Sequence, residues 1–263
     1  MDRVKGRDRY AAATRRAAVS AVLLGAVIAG GVVVSDRLPH VESRPAAGPT
    51  ATGVTTPATP TAAPPTTTVA PAAPPIVRDP IPFGAKRKAD TAAYLKRHAG
   101  KATWKLEPRM VVLHYSESDT YESVRSVFAA NRPNLGERPG TCAHYVVDQV
   151  GVIRELVPPT TACRHTIGLN QEAIGVEFVQ SSQGNSPRWA TQQILSRRAQ
   201  ATAGAELVAW LERTYDIPPD RVIGHAMAND DKDFRDLVGW RNDHVDWQRP
   251  EVLRFRQLVA DAG

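Results

Sequence analysis

Cysteine is almost missing from this sequence: only Cys142 and Cys163 carry thiols, and neither has a C-x-x-C partner. That argues against a cysteine-built metal site. No internal repeat is present, and a basic surface for nucleic acid is also missing. The formal charge is +6, but residues 1–16 supply +4 of it, residues 17–80 are neutral, and residues 81–263 carry only +2. The excess is therefore a short basic tail, which reads as a membrane-topology signal and not as a nucleic-acid partner.

Charge is absent altogether from Ala17 to Ser35, a run of 19 residues bracketed by Arg15-Arg16 and Asp36-Arg37. A helix needs roughly 20 apolar residues to cross a bilayer. A cleavable signal peptide has a shorter apolar core and a small-residue cleavage site, and no clear A-x-A follows Val34. The pattern favours an uncleaved single-pass anchor with residues 1–16 in the cytoplasm and the rest of the chain outside; cleavage would instead make the protein secreted. Residues 36–80 are built mainly from Pro, Thr, Ala and Val without helical or strand period. Such a composition cannot bury a core, and it predicts a disordered linker of polyproline character. At ~3.1 Å per residue, about 40 residues reach on the order of 100 Å.

A folded domain is expected over 81–263, where 42% hydrophobic content overall suffices for a core. Ala85–His98 reads as an amphipathic helix and Arg109–Tyr115 as a buried strand. Asp119-x-x-Glu122 resembles a capping box. Ala143–Asp148 and Val152–Val157 form a hairpin, and because its ends must lie close together, Cys142 and Cys163 are expected to pair in an oxidising compartment. Ala173–Val179 is a second buried strand, Trp189–Tyr215 a long helix, Arg221–Ala226 a strand, and Pro250 opens the last helix. Interleaved strands and helices predict one α/β domain, a central mixed sheet flanked by helices, preceded by the transmembrane helix and the linker.

Three ligand-type side chains sit at strand ends, where sites are commonly built: His114 closing RMVVLHY, Glu177 in AIGVEFV, and His225 in RVIGHA. An acid-rich stretch, Trp240 to Trp247, follows. Catalytic zinc takes three N, O or S ligands and keeps one position open for water, and two histidines with a carboxylate meet that need. Water bound there has its pKa lowered toward ~7 and can attack an amide carbon. Glu177 is then the candidate proton carrier, and Arg241 the candidate cation for the developing oxyanion.

From about Met110 to Trp247 the chain resembles the type 2 N-acetylmuramoyl-L-alanine amidases, which include phage lysozyme-like amidases and peptidoglycan recognition proteins. The resemblance is carried by VVLHYS (111–116), AHYVVDQVGVIRELV (143–157), RHTIGLNQEAIGVEF (164–178) and VIGHAMAND (222–230). It implies a peptidoglycan amidase that cuts between N-acetylmuramic acid and L-alanine, with His114 and His225 as zinc ligands and Glu177 as the catalytic carboxylate. His165 and Asn170 are implied to line the substrate groove, and His144 to be structural. Many relatives carry Lys-x-Asp-Pro-Gly, whose Asp is the third ligand and whose Lys helps the oxyanion. Here Arg241-Asn242-Asp243-His244 is set against it without Pro-Gly, giving Asp243 as third ligand and Arg241 for the lysine, with Asp246 and His244 as rivals. Arg does not replace Lys neutrally, because its planar fork differs from a compact ammonium. Asp230-Asp231-Lys232-Asp233 reads as a solvated charge run. The alternatives are a peptidoglycan-binding module that does not cut, and a zinc hydrolase for another amide.

Overall fold

The computed structural model describes residues 72–263. The basic tail at 1–16, the apolar span at 17–35 and the linker up to residue 71 lie outside the described residues. Among those described, no helix is long and apolar enough to cross a membrane.

Six strands form one mixed sheet: β1 (Ile76–Arg78), β2 (Met110–Tyr115), β3 (Tyr145–Val147), β4 (Ile153–Glu155), β5 (Ala173–Phe178) and β6 (Val222–Gly224), in the order β1-β4-β3-β5-β2-β6. Only the β3–β4 hairpin is antiparallel; every other pairing is parallel. The helices are α1 (Ala85–Ala99), α2 (Tyr121–Ala130), α3 (Pro187–Ser196), α4 (Arg198–Tyr215) and α5 (Arg249–Ala262). The expected α/β architecture with a central mixed sheet is the one observed. β1 lies upstream of Ile81, within the stretch read as linker; as an edge strand with Val77 half exposed, it has little apolar signal.

β2 and β5 are buried along their whole length, as continuous apolar runs in a parallel sheet should be. Alternation still assigns their faces. Val111, Leu113 and Tyr115 of β2 and Ile174, Val176 and Phe178 of β5 join the larger core with Leu207, Val208 and Leu211 of α4 and Val252 and Phe255 of α5. The intervening residues, His114 and Glu177 among them, therefore point to the opposite face.

Local chemistry moved three boundaries. The capping box is displaced by one residue: Thr120 accepts from the Ser123 N–H at 3.3 Å, because Asp119 is engaged by the Ser181 N–H and hydroxyl. The long helix expected over Trp189–Tyr215 is two. Ser186 caps the first, with Pro187 in its opening turn, and Arg197 leaves helical geometry where its guanidinium reaches Gln180 and Gln200. The strand expected over Arg221–Ala226 stops at Gly224, and His225 opens a tight 3₁₀ turn to Asp230. Cys142 and Cys163 are disulfide-bonded and tie the two ends of the hairpin segment, with Cα atoms 5.7 Å apart.

The segment after residue 240 returns to the sheet through Trp247. Its ring is fully buried against Phe178 and Phe255, and its indole N–H donates to the carbonyl of His114 at 3.1 Å. Gly224 makes room for it: a Cβ there would stand 1.7 Å from the Trp247 carbonyl oxygen. Replacing Trp247 by Ala is expected to cost about 3–5 kcal/mol of unfolding free energy. Urea denaturation of the full chain measures this; an unchanged midpoint would contradict the anchoring role.

Candidate metal centre

The strand register assembles the site. His114 pairs with Glu177 across β2 and β5, and Leu113 pairs with Gly224 across β2 and β6. His225 follows Gly224 directly, so it arrives beside His114. Trp247 brings back the preceding residue, Asp246, whose carbonyl accepts from the Ala226 N–H at 2.9 Å.

His114, His225 and Asp246 converge and are all buried. The two Nδ1 atoms are 3.1 Å apart, and the Asp246 oxygens lie 3.5 Å from His114 Nδ1 and 3.2 Å from His225 Nδ1. Ligands about 2.0–2.1 Å from a tetrahedral zinc sit about 3.3 Å from one another; the two Nδ1 atoms are near that spacing, and Asp246 turns Oδ2 toward His114 and Oδ1 toward His225, with one donor atom from each residue within 4.8 Å of the others. Two imidazoles and one carboxylate are also a donor set of catalytic zinc sites, and the group borders a cleft of about 330 Å³ that leaves a side open. The residues therefore fit the implied metal.

Glu177 lines the same cleft, as do His165 and His244. The His244 ring stacks on His225, with centroids 4.5 Å apart and planes at 16°. Asp243 is not part of the group. Its side chain is 97% exposed, against 8% for Asp246. Arg241 does not reach the group either: its guanidinium donates to the Asn229 carbonyl at 2.8 Å and lies over the Phe234 ring. The physical reason is one of register in an irregular loop. Buried Trp247 sets which carboxylate lands in the group, and the residue before it is Asp246. Asn170 is buried and spends its Oδ1 on the N–H groups of His165 and Thr166, both at 2.8 Å. His144 lies in the sheet, bonded to the Thr161 carbonyl and the Gly175 N–H. Within the run 230–233, Asp231 and Asp233 clamp the buried guanidinium of Arg221, so that segment is only partly solvated.

Burial dominates the electrostatics. It holds the His114 imidazole down at about 4, helped by the neighbouring His225 and opposed by Asp246. The same cause holds His144 at about 4. Burial pushes Glu177 well above the usual carboxylate range, and the charge of Asp246 adds to that.

Two contributors escaped the sequence reading. Asn242 places its Oδ1 3.0 Å from His225 Nε2, and Thr166 places its hydroxyl 2.9 Å from His165 Nδ1. Neither stands at a strand end, and only the fold shows that residues 165–170 lie over the site. Gly175 has a signal in hindsight: a Cβ there would stand 2.8 Å from the His165 ring, so the Ile-Gly-x-Glu strand needs glycine to seat that imidazole.

A family model described as N-acetylmuramoyl-L-alanine amidase matches residues 104–242, which take in His114, His165, Glu177 and His225 and end before Asp246. Among solved structures, the chain is similar to the endolysin amidase LysCS from Clostridium intestinale, with 18% identity over 59% of this chain and 82% of that one and a TM-score of 0.39. A mutant endolysin from Bacillus subtilis is 16% identical over 72% of this chain and 99% of its own, TM-score 0.44. The amidase AmiD from E. coli is 21% identical over 46% of this chain and 49% of its own, TM-score 0.36. No curated protein matches.

Two outcomes follow from the geometry. Asp246→Asn is expected to weaken zinc binding by an order of magnitude or more, whereas Asp243→Asn leaves it near wild type, as read by chelator competition. Gly175→Ala is expected to lose about 1–3 kcal/mol of stability by overpacking against His165; an unshifted denaturation midpoint would count against that contact.

Proposed function

The chain belongs to the N-acetylmuramoyl-L-alanine amidase family, and we propose that it hydrolyses the amide bond between N-acetylmuramic acid and L-alanine of peptidoglycan with one zinc ion held by His114, His225 and Asp246. The observation that carries this reading is the convergence of those three buried donors in the cleft that Glu177 also lines. Zinc bound there supplies Lewis acidity to the amide carbonyl and acidifies water. Glu177 is placed to receive the proton of the attacking water and return it to the leaving nitrogen. Its burial supports the second half of that task, because a carboxyl that holds a proton readily can deliver one. His244, two residues before Asp246 and stacked on His225, offers a ring N–H to the developing oxyanion in the position where relatives carry lysine. Arg241 is left without a part in this reading.

We also place the domain outside the cytoplasm, joined by residues 36–75, up to β1, to an anchor at 17–35. The uncharged span and the Cys142–Cys163 disulfide support this. Membrane fractionation of the expressed protein, with washing at alkaline pH, tests it: a soluble mature form starting beyond residue 35 would mean cleavage.

The deciding experiment incubates the zinc-loaded full chain with peptidoglycan and identifies the products by mass spectrometry. Free stem peptides beginning at L-alanine, lost on chelation and restored by zinc, are the expected result. Disaccharide fragments would mean a glycosidase, and bound but intact polymer a recognition module. Glu177→Gln is expected to lower kcat by about 10²–10⁴-fold and His244→Ala by about 10²–10³-fold, with Arg241→Ala close to wild type.

A further inference from the structure

We propose that His165 and Asn242 are positioning residues, which hold His114 and His225 in the tautomer that turns each Nδ1 lone pair toward the metal. The inference rests on the zinc reading above and asks what fixes the ligand rings before the ion arrives. An imidazole offers a metal only the nitrogen without a proton, and the partner of the other nitrogen decides which one that is.

For His114 the tautomer is set, through His165, by a backbone carbonyl. His165 Nε2 lies 3.1 Å from the Ala173 carbonyl oxygen, which can only accept, so Nε2 carries a proton. The polar partners of His165 among the described residues are that carbonyl, Asn170, Thr166 and His114, with no carboxylate among them. A cationic ring seated among the imidazoles of His114 and His144 without a counter-charge is costly, so His165 is neutral and its Nδ1 is an acceptor. His114 Nε2 is 3.1 Å from that Nδ1 and must donate to it. The lone pair of His114 is then on Nδ1, the atom that faces His225 and Asp246. The Thr166 hydroxyl, 2.9 Å from His165 Nδ1 and 3.4 Å from His114 Nε2, is compatible with this polarity, since it can donate to the first and accept from the second.

For His225 the tautomer is set, through Asn242, by the backbone of Ile167. Its N–H donates to Asn242 Oδ1 at 2.9 Å, and its carbonyl accepts from Asn242 Nδ2 at 3.0 Å, which settles the orientation of the amide. Oδ1 is therefore the atom 3.0 Å from His225 Nε2, and that nitrogen donates. His225 Nδ1 is left with its lone pair toward Asp246. Both outer partners thus answer to the main chain of one segment and the strand that follows it, Ile167 and Ala173. His165 is seated there because Gly175 has no Cβ.

A consequence separates this role from groove lining. Both nitrogens of His165 are already used, so the ring borders the cleft without a polar atom free for substrate.

The test is made on the full chain. Long-range proton–nitrogen correlation spectra of the metal-free protein should show Nε2 protonated and Nδ1 bare in both His114 and His225, and cadmium-113 loading should couple the metal to the two Nδ1 atoms. Coupling to Nε2 in either ring overturns the proposal. His165→Leu and Asn242→Leu are each expected to weaken zinc by about 10–100-fold in chelator competition without substrate. His165→Asn, which keeps a carbonyl acceptor at the Nδ1 position, should recover most of that loss. If His165→Leu binds zinc like wild type and only raises KM, the ring is a substrate contact and the proposal fails. Should the leucine variants not fold, the spectra of the unaltered protein decide alone. Zinc bound through both Nδ1 atoms with no peptidoglycan cleavage would sink the proposed function and leave this inference standing; no zinc bound at all would sink both.

Discussion

The pairing of β2 with β5 and β6 is the constraint on which the cleft depends. In a parallel ladder, residues in register share a face, so pairing His114 with Glu177 puts the imidazole and the carboxyl on the same side by backbone hydrogen bonding alone. The pairing of Leu113 with Gly224 delivers His225 to the same level from the other flank. Slipping either strand by one residue would turn its functional side chain into the α4–α5 core. The apolar alternates Leu113, Tyr115, Val176 and Phe178 oppose that slip, because each would have to leave the core in exchange. Packing of the larger core thus holds the chemistry on the smaller face.

Much of this was legible in the sequence because it is strand-borne. Short apolar runs ending in His or Glu announce both a buried strand and the edge where it stops, so His114, Glu177 and His225 could be read before any coordinates. The third donor could not be read the same way. It lies in the irregular segment 231–248, where neither period nor spacing says which of Asp243 and Asp246 faces inward. What separates them is Trp247, a buried anchor whose indole bonds to the carbonyl of His114 and whose backbone presses on Gly224. A tryptophan directly after Asp246 was the available signal, though the segment also holds Trp240 and gives no reason to prefer one over the other. The split of the long helix at Arg197 was hidden for a related reason: its cause is a side-chain bond to Gln180, remote in sequence and invisible to helical periodicity.

The loops that border the cleft are tied to α1 by a second buried histidine. His98 lies between Asp236 at 2.7 Å on Nδ1 and Glu137 at 3.0 Å on Nε2, with Tyr94 and Trp240 against its ring, and its own carbonyl accepts from the Leu237 N–H at 2.7 Å. Glu137 belongs to the loop between α2 and β3, and Asp236 to the segment that ends in Asp246. Arg164 reinforces the same junction, donating to the carbonyls of Glu137 and Pro139 and stacking on Tyr94. Buried polar groups persist when they are hydrogen-bonded, and here each bond joins elements distant in sequence.

These two layers of histidines do different work, and their surroundings show why. His98 is held by side-chain carboxylates, a partnership suited to pinning loops whose backbone is irregular. His114 and His225 leave their carboxylate contact to Asp246, on the metal side, while their outer nitrogens face neutral acceptors set by main-chain groups. A carboxylate in that outer layer would add negative charge to a buried group that already holds Asp246 and Glu177. A neutral imidazole and a neutral amide meet the outer nitrogens of the two rings without that cost.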